Sequence, residues 1–160
     1  MADLITHMAC GLVVKGATRG PYTGALVAGA VLPDLGARVP AMGFSALAKA
    51  GLPIPPEVPY AFEVLHMPLG MLLLCLLAAL CFVPEQRSGI FLNLAGGCLL
   101  HLGVDLMQDH LGVGYLLAFP FSTWDFELGW MGSEATVYLA PVLGAASLAF
   151  WWWRMRGFRT

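Results

Sequence analysis

Five side chains of two chemical types, imidazole and carboxylate, lie in or beside apolar segments of this chain: His7, Asp34, His66, His101 and Asp105. Ionisable groups at membrane depth are costly, so they are rare and usually serve a function. His101 and Asp105 are four residues apart and therefore share one face of a helix. Neutral imidazole and carboxylate suit zinc, manganese or iron. These residue types predict a site for a divalent metal ion, zinc first and manganese second.

Ordinary structural explanations exist for each residue taken alone. A buried histidine can be a packing residue, and Asp34, which follows a proline, can be a turn residue. Asp105 can pair with His101 without a metal. Glu63 precedes His66 by three residues, and we expect either Glu63 or Asp105 to accept a proton from an attacking water. The metal hypothesis therefore depends on whether the fold brings these side chains together.

The composition indicates a membrane protein. Of 160 residues, 59% are hydrophobic and 11% are charged, whereas soluble domains carry about 25% charged residues. The net charge of -2 leaves no basic surface for nucleic acid. We therefore expect membrane lipids, and no nucleic acid, among the partners.

Apolar runs define the elements that must position the five side chains. Leu65 to Val83, Ile90 to Met107 and Ala135 to Trp153 approach the roughly 20 residues that cross a bilayer. Two shorter apolar segments in residues 1–33 predict a helical hairpin. The predicted fold is all-α, a polytopic membrane helix bundle of about five membrane-embedded helices. It forms one domain with six parts: the hairpin 1–33, a Pro-rich loop 34–64, a helix pair 65–107, an aromatic loop 108–132, a last helix 133–153 and a basic tail 154–160.

The basic residues predict the orientation, since lysine and arginine favour the cytoplasmic side. A five-crossing arrangement with the N-terminus outside leaves only Arg38 and Lys49 outside and puts the C-terminus in the cytoplasm. In that arrangement the five histidines and aspartates all fall toward the outer side. This arrangement was chosen from the apolar runs and the basic residues. It therefore predicts independently that the five side chains converge.

The motifs resemble those of a known family, the LexA-binding, inner-membrane-associated metal-dependent hydrolases. Five segments match the family pattern in order: Thr6-His7 with Gly11 ("TH…G"), Leu32-Pro33-Asp34-Leu35 ("LPDxD"), His66 (the second histidine of "HRxxTHS"), His101-Leu102-Gly103-Val104-Asp105 ("HLxxD") and residues 112–121, GVGYLLAFPF ("G…LL.PF"). The resemblance covers roughly residues 5 to 122. It implies a small bacterial inner-membrane protein with hydrolase activity, distantly similar to zinc-dependent phospholipase C and P1-type nucleases. It also implies phosphoester or lipid-linked substrates, and metal ligands at the five positions named above.

The chain departs from this family pattern at several positions. Gly36 replaces the second aspartate of "LPDxD", and Ala61 and Phe62 replace the first histidine and the arginine of "HRxxTHS". These losses keep a second hypothesis open, a non-catalytic accessory subunit of a membrane complex or a homo-oligomer. An ion pathway ranks third, because the polar residues gather at one end of the bundle. The first hypothesis is a membrane-bound metal-dependent hydrolase whose aromatic loop 112–132 binds a lipid-like substrate.

Overall fold

The computed structural model describes residues 3–18, 20–110 and 114–156. Within these residues the chain forms seven α-helices and one pair of two-residue strands: α1 Leu4–Ala17, α2 Thr23–Pro33, α3 Val39–Lys49, α4 Glu57–Glu63, α5 Pro68–Leu80, α6 Pro84–Leu106, β1 Gln108–Asp109, β2 Met131–Gly132 and α7 Ser133–Arg156. The fold is therefore mostly helical, as predicted. Several residues used in the predictions lie outside the described residues: Arg19, Gly112, Val113 and the tail 157–160 with Arg159.

Helix α1 begins where a side chain can satisfy its free amides. Asp3 lies just before the helix, and its Oδ1 accepts hydrogen bonds from the backbone N–H of Ile5 (2.9 Å) and of Thr6 (3.0 Å). The Thr6 hydroxyl donates to the other oxygen of Asp3. This N-cap defines the first turn of α1, and that turn carries His7.

The prediction of a loop over 34–64 is wrong for most of that range. Helix α2 continues through Pro33 into a π-helical turn, Asp34–Arg38, and then into α3. In this turn the backbone N–H of Val39 bonds to the carbonyl of Asp34, five residues back. A proline inside a regular helix clashes with the carbonyl four residues earlier, and the wider turn before Pro40 relieves that conflict. The prolines therefore do not end the helical segment.

Helices α2 and α6 form the most extensive helix contact of the described residues. They approach closely through glycine: an added Cβ at Gly29 would lie 2.1 Å from the Leu94 carbonyl oxygen, and one at Gly97 2.1 Å from the Leu26 oxygen. Gly11 of α1 approaches α2 in the same way, with Ala30 as a near neighbour. Small residues permit such approach in membrane bundles. Three helices thus meet one turn away from His7 and His101.

Packing of α5 on α6 supplies the apolar core. Its buried members come from both helices: Met71, Cys75, Ala79, Ile90, Leu94 and Cys98. Two of them, Cys75 and Cys98, are free thiols whose sulfur atoms lie 3.3 Å apart. Helix α6 is also longer than predicted, because Pro84 occupies its first turn, where the missing amide of proline costs nothing. Residues 84–88, which lie between two of the predicted apolar runs, are therefore the beginning of this helix.

Two helical segments among the described residues are long and apolar enough to cross a membrane, Thr23–Lys49 and Pro84–Leu106. A third candidate is the pair Glu57–His66 and Pro68–Leu80, which is bent by 79° at its break. Helix α1 is apolar but shorter. The predicted number of five membrane-embedded helices is therefore supported only as two to three candidate spans.

Candidate metal centre

The five predicted side chains come together in one buried cluster. They belong to four elements: His7 to α1, Asp34 to the π-helical turn, His66 to the 3₁₀ turn Val64–His66, and His101 with Asp105 to α6. All three histidines and Asp105 are at most 1% exposed, and Asp34 is 6% exposed. We refer to these five residues as the His/Asp cluster.

One residue of the cluster, Asp34, is placed differently from the prediction. Asp34 was expected just after the hairpin 1–33, at the start of the loop 34–64, but it lies inside the continuous helical segment Thr23–Lys49. His66 lies at the 79° break before α5, and Asp105 in the last turn of α6. A bend, a π-helical turn and a helix end are therefore the backbone features that bring the cluster together.

His101 is oriented by a backbone group. Its Nδ1 lies 2.9 Å from the carbonyl oxygen of Ala30, an acceptor only, so Nδ1 carries the proton and donates. In a neutral imidazole, Nε2 then keeps its lone pair. This Nε2 faces the interior of the cluster, 2.9 Å from His66 Nε2 and 3.4 Å from Asp105 Oδ2. The close approach of α2 and α6 thus fixes which nitrogen is available as a ligand.

The spacing of the other nitrogen and oxygen atoms that could ligate a metal suits a small ion. His7 Nε2 lies 3.2 Å from Asp105 Oδ1, and His66 Nε2 lies 3.3 Å from Asp34 Oδ1. Zinc binds imidazole nitrogen at about 2.0–2.1 Å, so neighbouring ligand atoms of a tetrahedral ion are about 3.3 Å apart. Neither ring nitrogen of His7 makes a hydrogen bond of good geometry with the described residues, although Nε2 lies close to Asp105. Buried polar atoms normally have one, and a metal ion would satisfy Nε2.

The cluster fits one ion better than two. Its atoms form two overlapping groups, His7–His101–Asp105 and Asp34–His66–His101, and within each the donor atoms lie within 4.8 Å of one another. His101 belongs to both groups, but only its Nε2 is available and carries a single lone pair. That nitrogen can ligate one ion at a time. The described residues therefore define a single site that could hold a metal ion.

Two further side chains support the carboxylates. Arg38 Nε lies 3.3 Å from Asp34 Oδ1, one helical turn along the same segment. The Tyr115 hydroxyl donates a hydrogen bond to Asp105 Oδ2. Burial, together with the nearby Asp105 carboxylate, raises the pKa of Tyr115 well above its ordinary value. The phenol therefore remains protonated and remains a donor at neutral pH.

Tyr115, in the part of the aromatic loop that the structure describes, covers one side of the cluster. Tyr115 pairs with Phe126 through two backbone hydrogen bonds of 3.0 Å each. Tyr115 is 3% exposed, and its ring lies 5.5 Å from the His66 ring, centroid to centroid. The backbone N–H and Nδ1 of His110 both contact Glu127 Oε2, at 2.8 and 3.1 Å. The predicted aromatic loop therefore contributes a phenol to the site, and a separate His–Glu pair lies beside it.

Glu63 is not brought to the cluster. It lies at the end of α4 and lines a cavity between α3 and α4 together with Ser45, Lys49 and Tyr60. Among the described residues it forms no ion pair with a cluster histidine. Of the two predicted proton acceptors, only Asp105 occupies the site.

Gly36 packs against the side chain of Leu74 of α5. A Cβ added at Gly36 would lie 2.8 Å from Leu74 Cδ1 of α5. A carboxylate at this position would have to displace that leucine. An aspartate at position 36 would therefore require the Leu74 side chain to adopt another rotamer.

Three groups at the site were not predicted from the sequence: the Ala30 carbonyl, Arg38 and Tyr115. Arg38 could have been found from its position four residues after Asp34, which gives an i, i+4 pair on a helix. Tyr115 was recognised only as a member of an aromatic segment, and its spacing from Asp105 carries no pattern. The Ala30 carbonyl is a backbone group, so its role depends on the helix contact alone.

Comparison with protein-family models, with curated proteins and with solved structures finds no match. The chain's membership of a family is therefore not established by these comparisons, and the site is described by its own chemistry.

Proposed function

We propose that this chain is a membrane-bound metal-dependent hydrolase of the bacterial inner membrane, with its C-terminus in the cytoplasm. One observation carries the proposal: three histidines and two aspartates from four elements are buried together. Their possible ligand atoms form two overlapping groups, and within each group the atoms lie within 4.8 Å of one another. The two carboxylates would neutralise a divalent ion, and three neutral imidazoles would complete its ligands. Zinc is the first candidate and manganese the second.

A bound divalent ion would supply Lewis acidity, which lowers the pKa of water toward ~7 and polarises a phosphoryl or acyl oxygen. The residues of the chain divide the remaining tasks. The Ala30 carbonyl keeps the Nε2 lone pair of His101 directed into the cluster. Tyr115 holds Asp105, and when the histidines and Asp34 hold the ion, the Asp105 carboxylate is the group placed to accept a proton from an attacking water. Burial of the cluster excludes bulk water.

A groove next to His66 supports a lipid-like substrate. It has a volume of about 550 Å³, and its lining includes Leu65, Leu69, Leu73, Phe119 and Pro120. Leu65 directly precedes His66, so the groove adjoins the turn that carries His66 and continues along α5, while the cluster side chains themselves do not line it. The resemblance to the inner-membrane hydrolases, through the "LPDxD"- and "HLxxD"-like segments, points to the same class of phosphoester or lipid-like substrates.

Metal analysis of the purified protein tests the proposal. We expect about one zinc or manganese per chain in a chelator-free detergent preparation. The double variant His101→Ala/Asp105→Ala should lose the metal together with any hydrolysis of phosphoesters or phospholipids. The variant His110→Ala is the matched control, because His110 is the histidine outside the cluster and should leave the metal in place. A well-folded parent protein that contains no metal would contradict the proposal.

The second candidate is a non-catalytic subunit that keeps the cluster as a structural site. Leu74 packs against Gly36, the position where the family pattern has an aspartate. This observation favours the second candidate, since a lost aspartate can reflect a lost activity. A metal-loaded protein that co-purifies with a fixed partner, and that hydrolyses no ester, would favour this function over the first.

A further inference from the structure

We infer that Arg38 is the anion-binding side chain of this site and holds a phosphate-type oxyanion against the metal centre. The inference rests on the proposed function, and it adds which residue recognises the substrate and by what charge. It is carried by the position of Arg38 and by the charge balance of the His/Asp cluster.

Arg38 lies at the accessible edge of the cluster. Its side chain is 22% exposed, whereas the side chain of Asp34 is 8% exposed and those of the three histidines are at most 1%. It can therefore meet a ligand that enters from outside. The histidines, which lie deeper, have no comparable exposure.

The Arg38 guanidinium has N–H donors that the described residues do not use. Its Nε faces Asp34 Oδ1 at 3.3 Å but makes no hydrogen bond of good geometry. Arginine carries five N–H donors in a planar fork, and Asp34 is its only ion-pair partner among the described residues. The fork matches a phosphate or carboxylate in a bidentate manner. Most of its binding capacity is therefore available.

The charge balance calls for an anion. Two aspartates neutralise a divalent ion, and the three histidines contribute no charge as neutral ligands. The charge of Arg38 is then uncompensated, because Asp34 is already counted against the ion. A partly buried positive charge is unfavourable without a partner. An oxyanion between the ion and the guanidinium would restore neutrality and place the reacting group at the metal.

A simpler role is that Arg38 only orients Asp34 as a ligand. The two roles predict different measurements. An orienting residue affects metal affinity and leaves anion affinity unchanged once the metal is saturating. An anion-binding residue lowers anion affinity even when the metal site is full.

The test measures inorganic phosphate binding by titration calorimetry at saturating zinc, with zinc content measured in parallel. We expect Arg38→Met to keep one zinc and to bind phosphate about tenfold or more weakly, as loss of a charged hydrogen-bond donor implies. Arg38→Lys keeps the charge and should recover part of the affinity. Lys49→Met, which removes an exposed cation at the end of α3, should bind phosphate like the parent protein.

Phosphate binding by Arg38→Met at parental affinity would overturn the inference, and so would acetate bound as tightly as phosphate by the parent protein. These outcomes are distinct from failure of the proposed function. A parent protein that takes up no zinc overturns both proposals. A parent protein that binds zinc and Arg38-dependent phosphate, yet hydrolyses no ester, overturns the hydrolase and leaves the anion site standing.

Discussion

At the scale of single residues, the cluster is held by partners that approach from outside it. His101 is oriented by a backbone carbonyl and Asp105 by the Tyr115 hydroxyl, while the Arg38 guanidinium lies beside Asp34. Such partners fix the rotamer and the tautomer of a ligand, and their loss typically weakens metal binding by about 10- to 100-fold. The Tyr115 hydroxyl can be removed without changing a ligand itself.

Tyr115→Phe tests the phenol. The variant keeps the ring, and with it the packing against His66, but removes the donor to Asp105. We expect zinc affinity to fall by about 10- to 100-fold while the secondary structure is unchanged, measured by competition with a chelator of known affinity. Tyr138→Phe is the control, because Tyr138 is 79% exposed on α7. Equal zinc affinity of the Tyr115 and Tyr138 variants would show that the hydroxyl does not hold the ligand.

The residue types were enough to predict the five cluster members, since histidine and aspartate in apolar segments are rare. Tyr115 could not be predicted in this way. Its hydroxyl reaches Asp105 because the segment between β1 and β2 folds back through the Tyr115–Phe126 pairing. That contact is tertiary, and no local pattern in the sequence specifies it.

At the scale of elements, the segment Asp34–Arg38 shows where reading the sequence fails. Prolines at 33 and 40 predict a loop, and a loop gives no reason to pair Asp34 with Arg38. The π-helical turn keeps the chain helical, so that residues four apart lie on one face. The wrong prediction for the backbone therefore hid the contact between Arg38 and Asp34.

Helix contacts can be tested at Gly97. An added methyl group would lie 2.1 Å from the Leu26 carbonyl oxygen, a backbone atom that cannot move alone. We expect Gly97→Ala to separate α2 from α6, lower the free energy of unfolding by about 1–3 kcal/mol or more and weaken metal binding through the Ala30–His101 hydrogen bond. Thermal unfolding in detergent and zinc content provide the measurements.

Gly96→Ala is the matched control for this substitution. A Cβ at Gly96 would meet no atom within 4 Å, and alanine favours a helix over glycine by up to about 1 kcal/mol. The control should be as stable as the parent protein or more stable. If both alanine variants behave alike, close approach of α2 and α6 does not position the cluster.

At the scale of the whole molecule, the prediction of an all-α chain is confirmed, while the number of membrane helices is supported only in part. Periodicity and length identify α5, α6 and α7 as long apolar segments. They cannot show that Thr23–Lys49 is one continuous helical segment, or that the 79° bend at His66 turns α4 away from α5. Both features depend on tertiary packing around the cluster.

Metal removal should destabilise the entire bundle. An ion that binds only the folded state stabilises it by about 2.7 kcal/mol at a free concentration 100 times its dissociation constant. We expect added zinc to raise the unfolding temperature of the apo-protein, and a chelator to reverse this effect. The His101→Ala/Asp105→Ala variant should show neither change. A zinc-dependent shift of equal size in that variant would place the stabilising ion elsewhere.

The wide distribution of the cluster along the chain has a consequence for biosynthesis. Synthesis reaches His7 long before it reaches Asp105 and Tyr115. A nascent chain that has reached the end of α5 contains His7, Asp34 and His66 but lacks both residues of α6. The cluster can therefore be completed only after α6 has packed against its neighbours, and a metal ion that needs all five side chains would bind late, after the bundle has assembled.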